Sequence, residues 1–226
     1  MNIYLDTANL GEIREAARWG ILSGVTTNPS LMARETGAGF RETITEIASL
    51  VDGPISAETV SEDADGMVAE GVEFAAWHPN VIIKVPSTTQ GLEAVSRLGR
   101  RGIRCNVTLV FGTGQALLAA LAGAFVVSPF IGRLDDLSQD GMELIREIAA
   151  VFEQNPEIRT RILAASIRHP RHVVESALAG AHIATCPFKV LQKCMRHPLT
   201  DSGMASFLAD WRAREATMAL AGATAG

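Results

Sequence analysis

A lysine stands inside one of the most apolar runs of this 226-residue chain, Val81-Ile82-Ile83-Lys84-Val85-Pro86. Lysine is among the residues least often buried, and only Lys84, Lys189 and Lys193 occur here against seventeen arginines. An amine held in an apolar strand loses the hydration of its charged form, which favours the neutral nucleophile that attacks carbonyl carbon. The alternative is a lysine paired with Asp6 or Glu58 purely for packing. Buried ion pairs are weak sources of stability, so chemistry is the stronger reading. Asp6 and Glu58 end other apolar runs, and a carboxylate tuned toward neutral pH by burial serves as a general acid–base. Two carboxylates for one amine leave one spare. Asn106 and Thr108 alternate along a strand and so point the same way. Arg133, Ser166 and Arg168 read as an anion clamp, two guanidiniums and a hydroxyl suited to gripping a phosphate. For Arg133 the alternative is a surface pair with Asp135 or Asp136.

The histidines suggest less. His169 and His172 stand three apart at a helix start, but no acidic or cysteine partner lies at metal-ligand spacing. They read as solvated helix residues, and neither a metal nor a cofactor is expected.

Side chains this far apart in sequence need a scaffold that gathers them. Short β-branched runs at 2–6, 24–27, 55–59, 81–85, 104–110, 125–129, 162–165 and 183–186 alternate with helical patterns. Most are continuous apolar runs, the signature of strands buried on both faces in a parallel sheet. Between them, Leu144, Ile145, Ile148 and Phe152 mark one helix face behind a cap at Asp140 and Glu143, and 115–122 is almost wholly Ala and Leu. Eight strand–helix units with a mean repeat of about 28 residues predict a (β/α)8 TIM barrel in a single domain spanning 1–226. An open doubly wound sheet is the competitor, but its glycine-rich first turn is replaced here by Asp6-Thr7-Ala8-Asn9-Leu10-Gly11. In a barrel the C-terminal strand ends carry the active site. Those ends hold Asp6, Asn28, Glu58, Lys84, Asn106, Thr108, Ser128 and Ser166, so seven of the eight predicted strands converge on one end with polar groups. A surplus helix at about 201–220 places Met204, Phe207, Leu208 and Trp211 on one stripe. It either covers the barrel or docks on a neighbouring subunit. The last residues, 221–226, are expected to fray.

Composition narrows the function classes. A net charge of −5 argues against a general nucleic-acid binder. No uncharged apolar stretch reaches the length of a membrane span, and the N-terminus lacks the pattern of a signal peptide. Cys105, Cys186 and Cys194 form an odd, widely spaced set that suits a reducing cytoplasm. A cytoplasmic protein without nucleic-acid or membrane partners is the expectation.

Taken in order, the motifs resemble those of the transaldolase family, specifically its short subgroup related to fructose-6-phosphate aldolases. The resemblance rests on Leu5-Asp6-Thr7-Ala8, Gly24-Val25-Thr26-Thr27-Asn28-Pro29-Ser30-Leu31, Ser56-Ala57-Glu58-Thr59 and Ile83-Lys84-Val85-Pro86. It continues through Cys105-Asn106-Val107-Thr108-Leu109, Ser128-Pro129-Phe130-Ile131-Gly132-Arg133 and Ala165-Ser166-Ile167-Arg168. The resemblance implies Schiff-base transfer of a dihydroxyacetone unit between sugar phosphates, with ketose and aldose phosphates as partners. By resemblance, Lys84 is the Schiff-base lysine and Asp6 takes the C4 hydroxyl proton. Glu58 and Thr108 hold the proton-shuttling water. Asn28, Asn106 and Ser128 grip the dihydroxyacetone hydroxyls, and Arg133, Ser166 and Arg168 bind phosphate. Fructose-6-phosphate aldolases resemble the chain too, but carry Gln where Glu58 stands and Tyr where Phe130 stands. The only tyrosine here is Tyr4, which favours transfer over release. A non-catalytic phosphosugar-binding barrel would need the clamp but not Lys84, Asp6 and Glu58. Short members of the family commonly form decamers, so the resemblance also implies a homo-oligomer.

Overall fold

The computed structural model describes residues 1–35, 37 and 39–224. Eight parallel strands close into a barrel in sequence order, with β8 hydrogen-bonded to β1. They are β1 (Asn2–Asp6), β2 (Leu22–Thr26), β3 (Ile55–Glu58), β4 (Val81–Pro86), β5 (Cys105–Val110), β6 (Val126–Pro129), β7 (Arg161–Ala164) and β8 (Ile183–Cys186). The TIM-barrel expectation therefore holds, with strand ends displaced by one or two residues where the ladder frays. The helices are α1 (Leu10–Ala17), α2 (Pro29–Met32), α3 (Phe40–Leu50), α4 (Ala64–Ala75), α5 (Thr89–Gly99), α6 (Thr113–Leu121), α7 (Ile131–Asp135), α8 (Gly141–Gln154), α9 (Pro170–Leu178), α10 (Phe188–Cys194) and α11 (Pro198–Thr224). The one-turn helices α2 and α7 lie in the loops after β2 and β6 and had no periodic pattern to announce them.

Caps set where several helices start. Asn9, Asp63, Thr88 and Asp140 accept backbone N–H bonds at the first turns of α1, α4, α5 and α8. The cap expected at Asp140 holds, but Glu143 pairs with Arg146 rather than reaching back. α6 approaches the barrel through Ala116 and Ala119, while its Leu118 and Leu121 are exposed.

Alternation along each strand sorts the side chains into two cores. Leu5, Val25, Ala57, Ile83, Val107, Val127, Ala164 and Ala184 point outward into the core shared with the helices. Tyr4, Ile82, Val126, Leu163, Ala165 and Ile183 point inward and form a second, interior cluster. Two residues further along, the inward positions turn polar: Asp6, Lys84, Ser128 and Thr185. An apolar plug thus fills the lower barrel and leaves the polar side chains at the C-terminal mouth.

The chain divides into two compact units, Met1–Leu191 and Gln192–Gly226. In the second unit α11 is one continuous helix to Thr224, so the fraying expected from 221 on is not seen up to that point; 225 and 226 lie outside the described residues. Its Phe207 and Trp211 are 75% and 55% exposed, and Met204 and Leu208 are exposed with them. Among the described residues no helix is long and apolar enough to cross a membrane.

The plug tolerates little change at Gly24. A β-carbon there would stand 2.7 Å from both the Pro54 carbonyl oxygen and the Tyr4 ring. Gly24→Ala is expected to cost about 2 kcal/mol of folding stability, read as a lowered urea midpoint. An unchanged midpoint would show that the plug can give way at this point.

Candidate active site

Lys84 and Glu58 are register partners on β4 and β3, and Lys84 is likewise opposite Asn106 on β5. Parallel pairing and the shared inward phase bring all three side chains to the same level of the barrel. The Lys84 ammonium donates to Glu58 Oε2 at 2.7 Å and to the Thr27 carbonyl at 2.9 Å, with only 6% of the lysine side chain exposed. Both alternatives raised by the sequence are therefore present at once: the amine is buried, and it is paired.

Asp6 is the spare carboxylate. It forms no ion pair among the described residues but accepts a hydrogen bond from Thr26 Oγ1 at 2.8 Å. Burial pushes its pKa up, outweighing the nearby Lys84 charge and the Thr26 hydrogen bond, which pull it down. The mouth thus holds one carboxylate tied to the amine and a second whose proton affinity has been raised, the division of labour expected of an acid–base site.

Three further inward positions form a continuous chain. Asn106 donates from Nδ2 to Ser56 Oγ at 3.1 Å, and its Oδ1 accepts from Ser128 Oγ at 2.7 Å. All three are buried. Asn28 caps α2, its side-chain oxygen accepting from Leu31 N at 2.9 Å. It lines a cavity of about 430 Å³ together with Thr27, Met32, Phe40 and Glu58. Thr108 is different: its hydroxyl is fully buried with no hydrogen-bond partner among the described residues. Leu109 beside it adopts a φ of 58°, and the ladder to β6 slips between Val107 and Val110. An orphaned buried hydroxyl costs about 1–3 kcal/mol, and such a cost is characteristic of a group kept ready for something that binds.

The anion-clamp residues sit on the loops after β6 and β7. Ile131 N donates to the Ala165 carbonyl, and Gly132 N to the Ser166 carbonyl, both at 3.1 Å. These bonds hold α7 against the β7 loop, where Ser166 occupies the left-handed region at φ 61°. A β-carbon on Gly132 would fall 2.1 Å from the Ser166 carbonyl oxygen and 2.8 Å from the Arg168 side chain. The three residues are therefore on one scaffold. Arg133 does not pair with Asp135 or Asp136; its guanidinium lies over the Phe130 ring at 5.0 Å. Asp136 instead takes Arg168 at 2.8 Å, and Asp135 takes His172 Nε2 at 2.9 Å.

His172 corrects the sequence reading, since it is buried rather than solvated. Its Nδ1 accepts from the Arg168 backbone N–H at 3.3 Å, and burial lowers its pKa with a smaller push from His169. His169 does sit at a helix start, as the cap of α9. Among the described residues no group of three or more His, Cys, Asp or Glu is placed to hold a metal. Ser56 and Thr185 were missed by the sequence reading. Ser56 had a signal, two residues before Glu58 and so on the same face; a threonine on β8 had none, because threonine is ordinary in strands.

Comparison with known proteins fits this geometry. The profile of the family described as transaldolase/fructose-6-phosphate aldolase matches residues 3–222. A protein named probable transaldolase from Roseiflexus sp. (strain RS-1) is 73% identical over 213 residues, covering 94% of this chain and 98% of its own. The chain belongs to the transaldolase/fructose-6-phosphate aldolase family. Similarly named proteins from Moorella thermoacetica and Caldicellulosiruptor saccharolyticus are 62% and 59% identical over 211 residues, each covering 93% of this chain and 97% of its own. A thiamine phosphate pyrophosphorylase from Pyrococcus furiosus superposes with a TM-score of 0.56 at 15% identity, covering 82% of this chain and 85% of its own. That likeness speaks to the barrel alone.

The raised pKa of Asp6 sets a sign for stability. A carboxyl that binds its proton more tightly when folded contributes stability below its unfolded value, near 3.9, and loses it as pH rises through the folded value. Asp6→Asn keeps an oxygen to accept from Thr26 and removes the buried charge. In calorimetry at pH 7 the variant is expected to melt above the parent, with the gap closing toward pH 4. A parent more stable than the variant at pH 7 would contradict the electrostatic account.

Proposed function

We propose that the chain is a transaldolase that carries a dihydroxyacetone unit from a ketose phosphate to an aldose phosphate through a Schiff base on Lys84. The reading rests above all on a buried amine bound to one carboxylate with a second, separately held carboxylate in the same mouth. Lys84 passes a proton to Glu58 and its neutral amine attacks C2 of the ketose. The carbinolamine loses water to give the imine, with Glu58 and the unpartnered hydroxyl of Thr108 holding the water that moves protons. Asp6 takes the C4 hydroxyl proton as the C3–C4 bond breaks and the aldose phosphate departs. The enamine left on Lys84 adds to the carbonyl carbon of a second aldose phosphate, Asp6 returns the proton, and hydrolysis of the new imine frees the enzyme. Asn28, Asn106 and Ser128 bind the dihydroxyacetone hydroxyls, while Arg133, Ser166 and Arg168 hold the phosphate. By resemblance the pairs are sedoheptulose 7-phosphate with glyceraldehyde 3-phosphate and fructose 6-phosphate with erythrose 4-phosphate, the exchange of the pentose phosphate pathway in the cytoplasm.

Transfer is favoured over aldol release by what surrounds Phe130. Its ring packs edge-on to Phe111 at 5.7 Å and under Arg133, so it brings no hydroxyl to protonate the enamine. Tyr4 is buried in the apolar plug. Borohydride reduction with fructose 6-phosphate, followed by mass spectrometry, is expected to leave a three-carbon adduct on Lys84 that erythrose 4-phosphate discharges beforehand. Release of dihydroxyacetone without an acceptor at a comparable rate would turn the reading to an aldolase. A bound sugar phosphate with no adduct on Lys84 would turn it to a binding barrel.

We also infer that α11 packs on a second copy of this chain, because Phe207 and Trp211 expose large apolar surfaces on a common stripe. Resemblance makes a decamer the expected assembly. Sedimentation should find an oligomer that Trp211→Glu with Phe207→Glu reduces in size; an unchanged assembly, or a monomeric parent, would reject this use of α11.

A further inference from the structure

The eighth strand meets the site through a single side chain, Thr185. Thr185 faces the interior of β8 opposite Tyr4 on β1, and Thr26 on β2 is the register partner of Asp6. The two threonines therefore flank β1 at the seam where the barrel closes. Their hydroxyl oxygens are 2.6 Å apart, and Thr26 Oγ1 is also 2.8 Å from Asp6 Oδ1. Both threonines are at most 2% exposed.

We propose that Thr185 is a positioning residue for proton transfer at Asp6, acting through the hydroxyl of Thr26. The inference rests on Asp6 being the acid–base group of the proposed reaction. Proton counting fixes the direction of each bond. A carboxylate only accepts, so the single hydroxyl proton of Thr26 is committed to Asp6. The proton in the 2.6 Å bond must then come from Thr185, which fixes the chain as Thr185 to Thr26 to Asp6. When Asp6 becomes a carboxylic acid it donates to Thr26, and Thr26 in turn donates to Thr185. The same three oxygens stay bonded in either proton state, and each bond polarises the next. With Thr185 gone, the Thr26 hydroxyl loses the donor that orients and strengthens its bond to the carboxylate.

The charged groups acting on Asp6 across the mouth are Lys84, Glu58 and Arg168, and a change at Thr185 leaves all three in place. The test compares the pH dependence of kcat/KM for fructose 6-phosphate and erythrose 4-phosphate in the parent, Thr185→Val, Thr185→Ser, Thr26→Val and the double valine variant. Asp6 must be ionised to accept the proton, so weaker support of the carboxylate moves the acid limb upward. Thr185→Val is expected to shift that limb to higher pH by about half a unit, roughly a threefold loss below it. Thr185→Ser should restore the parent position. Thr26→Val should shift the limb further, and the double variant no further than Thr26→Val alone, as required of two residues in one chain. Where valine does not pack at this site, Thr185→Ala replaces it, and formation of the Lys84 adduct certifies an intact mouth. A limb unmoved in the Thr185 variant, or a double variant whose shift is the sum of the two, would overturn the proposal. Asp6→Asn with near-parental turnover would instead overturn the assignment of Asp6 itself.

Discussion

Closure of the barrel is the constraint from which the rest follows. Once eight parallel strands pair in a ring, every second side chain on each strand must enter one narrow column, and no loop can supply water to its lower end. The sequence meets this demand in two ways along the same column. Below, Tyr4, Ile82, Val126, Leu163 and Ile183 fill the space with apolar volume. Above, where polar side chains enter, each finds its partner on another strand: Lys84 on Glu58, Asn106 on Ser56 two strands away and on Ser128, Asp6 on Thr26. The polar layer is thus held by ladder register rather than by loops, which is what chemistry sensitive to small displacements requires. Thr108 stands out because its neighbours leave it without a partner.

The electrostatics of that layer favour function over stability. Desolvating Lys84 and Glu58 costs much of what their attraction returns, and burial raises the cost of ionising Asp6. A packing solution would have used one carboxylate or none. Two carboxylates around one amine leave the mouth able to lose a proton at one place while gaining it at another. The proposed Schiff-base chemistry, in which the amine alternates between ammonium, carbinolamine and imine, needs that property. The apolar plug beneath supplies the stability that this arrangement gives up.

How much of this was legible depended on how unusual each residue was for its setting. Lys84 stood out because a strand interior rarely takes a lysine, and Asp6 and Glu58 because they interrupt apolar runs. The barrel itself followed from the count and spacing of those runs. The partners of His172 were not legible: Asp135 and Arg168 meet it only because α7 docks on the β7 loop, and a histidine near a helix start looks solvated without that docking. Thr185 was hidden for the opposite reason, since a threonine on a strand raises no question until its hydroxyl is seen 2.6 Å from another. The pairing choice of Asp136, which takes Arg168 rather than the nearer-in-sequence Arg133, likewise depends on the path of a loop.

That pairing gives the proposed phosphate end of the site a different character from the buried polar layer. The Arg168–Asp136 bridge is about half exposed on both sides, so solvent and salt already screen it and little is lost when it opens. Among the described residues Arg133 pairs with no carboxylate, and its guanidinium rests on the Phe130 ring. A dianion arriving between them needs only to draw Arg168 from one oxygen acid to another, while Arg133 has nothing to give up. Gly132 keeps α7 close enough to the β7 loop for both guanidiniums to share a ligand, and its missing side chain is what permits that approach. The fold thus holds the reacting groups by buried bonds that are hard to exchange. On the proposed reading it holds the remote, non-reacting phosphate by exposed ones that exchange easily, so that substrate enters and leaves without disturbing Lys84.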